Sequence, residues 1–235
     1  MQLKPHLRLF SIVFVLFAFL SEANAQKSDS GKIFARDSIS KEGYTLIYIN
    51  KDEEFSPEIG EKLKNTFFEV YPEMAKEYNK KAAKKVKFVI DPAYDGVAAT
   101  SNGKVVFNPR WFDRLPGDID VVTHEVMHIV QDYGRTPGPW WVTEGIADYV
   151  RYKYGVDNAG AGWSLPEVTD KQNYDNSYRV TARFFAWIVQ NKNKNFIKKM
   201  DVVMRKHTYN DEIWVKLTGK NPAELWEEYK ANPTI

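Results

Sequence analysis

Two periods run through the hydrophobic pattern of this chain. Tyr44–Ile49 mixes aromatic and β-branched residues and reads as a strand, as does Val86–Ile90, which Asp91-Pro92 closes. Gly96–Thr100 and Lys104–Asn108 read as two further strands joined by Ser101-Asn102-Gly103, where Asn-Gly is the hairpin signal. Helical spacing begins after Ser56-Pro57, an N-cap and N1 pair, with Leu63, Phe67, Val70 and Tyr71 on one stripe. Pro72 is expected to kink or restart that helix before Met74–Tyr78. Ile119, Val122, Val126 and Ile129 form a second stripe, opened by Asp118 or Asp120 after Pro116-Gly117. Thr136–Pro139 is a turn, and the next helix runs from Thr143 to about Tyr154. Gly155–Lys171 reads as a loop, followed by helices over Asn176–Gln190, Asn195–His207 and Pro222–Ala231. The pattern predicts an α+β fold: a small mixed lobe, then a mainly helical one.

The ends and the composition bound the rest. Lys4 and Arg8, the apolar run Leu9–Leu20 and Ala23-Asn24-Ala25 make residues 1–25 a cleavable export signal, so the protein is expected to be secreted or periplasmic. The run is short of the roughly 20 apolar residues a membrane span needs. Residues 26–42 are polar with few apolar anchors and are expected to be a flexible leader. Residues 43–235 then form one domain, with an N-lobe over about 43–133 and a C-lobe over about 134–235. With no Cys, no disulfide holds the fold. A net charge of +2, lower still once the signal is gone, argues against nucleic acid as a partner.

The chemistry concentrates in His124-Glu125-Val126-Met127-His128, which holds two of the four histidines. At about 100° per residue, positions four apart lie on one helix face, a turn from each other. Two imidazoles so placed can bind one Zn2+, and Glu125 can reach a water there as its general base. Catalytic zinc takes three protein ligands, and Glu144 is the natural third. Asp148, one turn beyond Glu144, can accept the other ring N–H of a ligand imidazole. The remaining mature histidine, His207, closes the helix expected over Asn195–His207.

The order of His124-Glu125-x-x-His128 and then Glu144-x-x-x-Asp148 resembles gluzincin zinc peptidases. The string Glu144–Arg151 resembles the basic secretory protein family of plants and bacteria, as do Tyr178–Phe184 and Leu225–Lys230. The resemblance runs from about Val86 to Lys230 and implies a zincin-like, zinc-dependent peptidase acting on peptides or proteins. It implies one zinc on His124, His128 and Glu144, with Glu125 as base. Tyr178, before the family's Thr-Ala-Arg-Phe string, is the expected oxyanion donor, with His207 as runner-up. Zincins receive substrate on an edge strand beside the active-site helix, which makes Lys104–Asn108 the candidate strand. Trp140, Trp141 and Trp163 could wall the pocket, Arg179 could meet a substrate carboxylate, and Arg183 reads as structural. Endopeptidase action is favoured over aminopeptidase action. The rival readings are a non-catalytic secreted binding protein on the same scaffold and a zinc hydrolase of a non-peptide bond. Oligomeric state and side-chain preference are not encoded in any of these motifs.

Overall fold

The structure, a computed structural model, describes residues 31–135 and 138–235. The export signal expected over 1–25 lies outside the described residues, as do Thr136 and Pro137 of the turn after His124–His128.

Strands β1 (Ala35–Lys41), β2 (Tyr44–Asn50), β3 (Lys85–Ile90), β4 (Ala98–Ser101) and β5 (Lys104–Phe107) form one sheet in the order β1-β2-β3-β5-β4. The central β2, β3 and β5 are parallel, and the edge strands β1 and β4 are antiparallel to their neighbours. Alternation makes one face apolar: Leu46, Tyr48, Val86, Phe88, Val105 and Phe107 are all buried. Helix α1 (Pro57–Tyr78) links the parallel pair β2 and β3 and covers that face with Leu63, Phe67, Val70 and Met74. The rings of Phe67, Phe88 and Phe107 meet edge to face, 5.5 and 5.1 Å apart.

Four expectations are corrected here. The leader stops being loose at Ala35: β1 pairs with β2 along its whole length, from Ala35 opposite Asn50 to Lys41 opposite Tyr44. Its side chains are mostly exposed, so backbone bonds rather than apolar burial hold it, and a hydrophobic pattern cannot reveal it. Pro72 does not restart α1, which runs through it from Pro57 to Tyr78, because Tyr71, Met74 and Ala75 are buried around it and the packing outweighs one lost backbone bond. Lys104–Asn108 is not at an edge, since β5 lies between β3 and β4. Four helices rather than three follow the Gly155–Lys171 segment, because α7 (Glu212–Thr218) is under two turns, too short for periodicity to show, as is α2 (Pro109–Arg114) before the motif helix.

His124–His128 lies on α3 (Val121–Gln131), followed by α4 (Trp140–Tyr154), which begins a turn earlier than its pattern implied. After a loop containing a single 3-10 turn at Ala159–Ala161 come α5 (Tyr178–Asn191), α6 (Phe196–Arg205), α7 and α8 (Pro222–Ala231). The α+β architecture read from the sequence, a small mixed sheet with the motif helix and then a mainly helical part, is the one the chain adopts. Gly31–Ile235 forms one compact unit. Helices α4 and α5 touch at Gly145, where a Cβ would fall 2.3 Å from Thr181 Cγ2 and 3.0 Å from Phe185 Cε2. Thr181 cannot rotate away freely, because its hydroxyl donates to the Tyr174 carbonyl at 2.6 Å.

Gly145→Ala is therefore expected to destabilise the fold by about 1–3 kcal/mol through overpacking, despite alanine's better helix propensity. A thermal melt checks this; an unchanged or raised Tm would mean that α5 yields without cost.

Candidate metal centre

Helix α3 starts at Asp120, whose carboxylate is fully buried and works across elements rather than as a cap on its own helix. It accepts from the Thr123 hydroxyl at 2.8 Å and from the N–H groups of Val156 and Asp157 at 2.8 and 2.6 Å. Those bonds tie the start of α3 to the chain leaving α4. Asp118 is likewise buried, accepting from Trp111 Nε1 at 2.8 Å and from Arg151 Nη2 at 2.5 Å.

The i, i+4 spacing puts His124 and His128 side by side, with ring centroids 4.9 Å apart. Their Nε2 atoms are 3.2 Å from each other, and Glu144 Oε2 lies 3.2 and 3.5 Å from them. A tetrahedral ion with bonds of about 2.0–2.2 Å needs donors roughly 3.3–3.6 Å apart, so edges of 3.2, 3.2 and 3.5 Å fit the ion to within about 0.1 Å. The remaining ring nitrogens are held. His124 Nδ1 lies 2.6 Å from Asp148 Oδ1, and His128 Nδ1 lies 2.7 Å from Gln131 Oε1. Both partners are acceptors, so each Nδ1 carries a proton and each Nε2 can turn a lone pair to the shared point. Burial works against charge on His124, but Asp148, Glu144 and Glu125 outweigh it and push its pKa up to about 10. Burial would raise Glu144, but the two imidazoles bring it down to about 2. Together these shifts describe a pocket built to hold positive charge.

Glu125 is 7% exposed, and its Oε2 accepts from Thr100 Oγ1 at 2.6 Å. Tyr178 stacks on the His124 ring at 6.0 Å and meets Trp140 edge-on at 5.5 Å. Partial burial, then the charges of Glu144, Asp148 and Glu125, raises its phenol pKa, so it stays a hydrogen-bond donor. His124, Glu125, His128, Glu144 and Tyr178 line one cleft of about 1450 Å³, bounded by β4 on one side.

The sequence matches the family described as "Peptidase of plants and bacteria" over residues 17–229. The chain belongs to this family, BSP. The matched span includes the strings Glu144–Arg151, Tyr178–Phe184 and most of Leu225–Lys230. No curated protein matches the chain. Among solved structures it is similar to an M1 zinc metallopeptidase E323A mutant from Deinococcus radiodurans, at 8% identity and a TM-score of 0.47. That similarity covers 87% of this chain but 52% of the other, so the chain spans about half the length of the protein it resembles.

Other residues of the chain sort by position. His207 does not line the cleft; its Nε2 donates to the Tyr133 carbonyl at 2.7 Å. Trp141 stacks on Trp214 in the helical core, whereas Trp163 lines the cleft beneath Arg151, 4.6 Å away. Arg179 lines the cleft, and Arg183 pairs with Glu167 at 3.0 Å. Two residues escaped the sequence reading. Gln131 sits one turn beyond His128 and also donates from Nε2 to the Thr143 carbonyl at 2.9 Å, joining α3 to the start of α4. Its signal was a polar residue three positions from His128. Thr100 is in β4, and no local pattern connects it to the motif.

Ser177 and Tyr178 both have positive φ, 63° and 47°. With ψ at −179°, Ser177 occupies a region almost reserved for glycine, and its buried Oγ has no hydrogen-bond partner among the described residues. Ser177→Gly is expected to stabilise the protein by about 1–2 kcal/mol, since it removes both penalties. A lower Tm in that variant would show that Ser177 Oγ is satisfied in solution.

Proposed function

We infer that this member of the BSP family is an exported zinc peptidase that hydrolyses internal bonds of peptides or proteins. The observation that carries the reading is the triangle of Nε2, Nε2 and Oε2 atoms, 3.2, 3.2 and 3.5 Å on its edges, with the Glu125 carboxylate one residue along the same helix. His124, His128 and Glu144 would hold the ion, which when bound supplies Lewis-acid polarisation of the scissile carbonyl and of the attacking water. Glu125 takes the proton of that water and passes it to the leaving amine. The Tyr178 hydroxyl donates to the oxyanion that develops on the carbonyl. Asp148 and Gln131 keep the two imidazoles in the tautomer that exposes Nε2.

The extended substrate lies along β4, the open edge beside α3, rather than along β5. Support for endopeptidase action comes from the cleft, whose lining runs from Val121 at the start of α3 to Asp132 beyond its end, leaving room on both sides of the triad. No helix among the described residues is long and apolar enough to cross a membrane.

The reading is tested by incubating the pure protein with a diverse peptide mixture, with and without a chelator. Cleavage at internal bonds that the chelator abolishes and zinc restores is the expected result; chelator-insensitive cleavage would remove the metal from the mechanism. His128→Ala should lose most of the bound zinc, whereas Glu125→Gln should keep zinc and fold but lose about 10²–10⁴ in kcat. Near-normal turnover in Glu125→Gln would assign the proton transfer to another group.

Tyr178→Phe should lower kcat and kcat/KM together by about 10²–10³, with zinc content and Tm unchanged. A variant that melts earlier but turns over normally would make the hydroxyl structural.

A further inference from the structure

Glu125 is almost enclosed, yet among the described residues its carboxylate accepts a hydrogen bond from one side chain, the hydroxyl of Thr100. Thr100 Oγ1 is 2.6 Å from Glu125 Oε2 and 3.0 Å from the Glu125 backbone carbonyl oxygen. A hydroxyl has one proton to give, and the closer, charged acceptor takes it. The other carboxylate oxygen, Oε1, is left for the water.

The placement of Thr100 gives this bond a second meaning. The Asn108 N–H donates to the Val97 carbonyl at 3.0 Å, which sets the alternation of the β4–β5 pair. With Thr100 opposite Val105, that alternation turns the N–H and C=O of Ala98 and Thr100 away from β5, toward the open edge. The Ala98 carbonyl already accepts from the Tyr94 hydroxyl at 3.1 Å, so Thr100 is the better-placed pairing residue.

We propose that Thr100 is the positioning residue of the general base, fixing Glu125 Oε2 through its hydroxyl while its backbone pairs with the extended peptide. This rests on the peptidase reading above. The proton-accepting oxygen and the scissile bond are then referred to the same residue of the same strand, so the substrate docks in a frame that also orients the base. A purely structural hydroxyl would be served equally well by the Glu125 backbone carbonyl and would not need the carboxylate.

Thr100→Val keeps the shape and favours a strand, so folding is retained, as a melt checks. Its kcat should fall on the order of tenfold with KM within about twofold, and Thr100→Ser should recover most of the loss. In a Glu125→Gln background, Thr100→Val should cost nothing further, because it acts through the group already removed. A crystal structure of Thr100→Val should show Glu125 Oε2 displaced from its wild-type place. Unchanged kcat in Thr100→Val, equal loss in Thr100→Ser, a multiplicative loss in the double variant, or an unmoved carboxylate each overturns the proposal. Absence of peptide cleavage by the wild type defeats the peptidase reading instead, and the crystallographic position of Glu125 then still decides whether Thr100 holds it.

Discussion

The bond between His124 and Asp148, 2.6 Å long and closed off from solvent, ties α3 to α4 in one register. A buried carboxylate left without a partner is costly, so the two helices pack only where that contact closes. Once it has closed, geometry does the rest. Glu144 is one turn before Asp148 on α4, and the same register carries its carboxylate to the Nε2 side of both imidazoles. Gln131 repeats the device for His128 and takes the Thr143 carbonyl as well, so the start of α4 is held at a second point.

Around this junction the buried charges are satisfied one by one. Asp120 accepts two backbone N–H groups from the segment after α4, and Asp118 pairs with Arg151, which also donates to Asn158 at 3.0 Å and lies over Trp163. These bonds close the far end of α4, while the absence of a side chain at Gly145 lets α5 come close to its middle. Tyr178 is then set at the first turn of α5 by two consecutive residues with positive φ. Strain of this kind persists only where the surrounding packing imposes it, and here it presents a phenol to the face of His124.

The sheet contributes a boundary to the cleft rather than ligands. Because β5 lies between β3 and β4, β4 is the edge strand, and it lies beside α3 with its edge open along the helix that carries His124 and His128. An open edge would invite pairing with any extended chain, and its short length limits that hazard while leaving room for a peptide.

Features set by covalent geometry within a few residues were legible in the chain itself. The four-residue spacing of His124 and His128, and of Glu144 and Asp148, puts each pair on one helix face whatever surrounds it. Ser56-Pro57 and Asn102-Gly103 act through local φ preferences, so α1 and the β4–β5 turn start where expected. What depended on distant backbone pairing was not legible: β1 carries almost no apolar signal, and which hairpin strand lies at the edge follows from how β5 pairs with β3. The partners of the motif divide the same way. Asp148 could be anticipated because it shares a helix face with Glu144. Thr100 could not, because the contact of a strand residue with Glu125 exists only after sheet and helix have packed. His207 is turned to the Tyr133 carbonyl where the chain leaving α6 meets the chain leaving α3, a contact that no spacing in the sequence encodes.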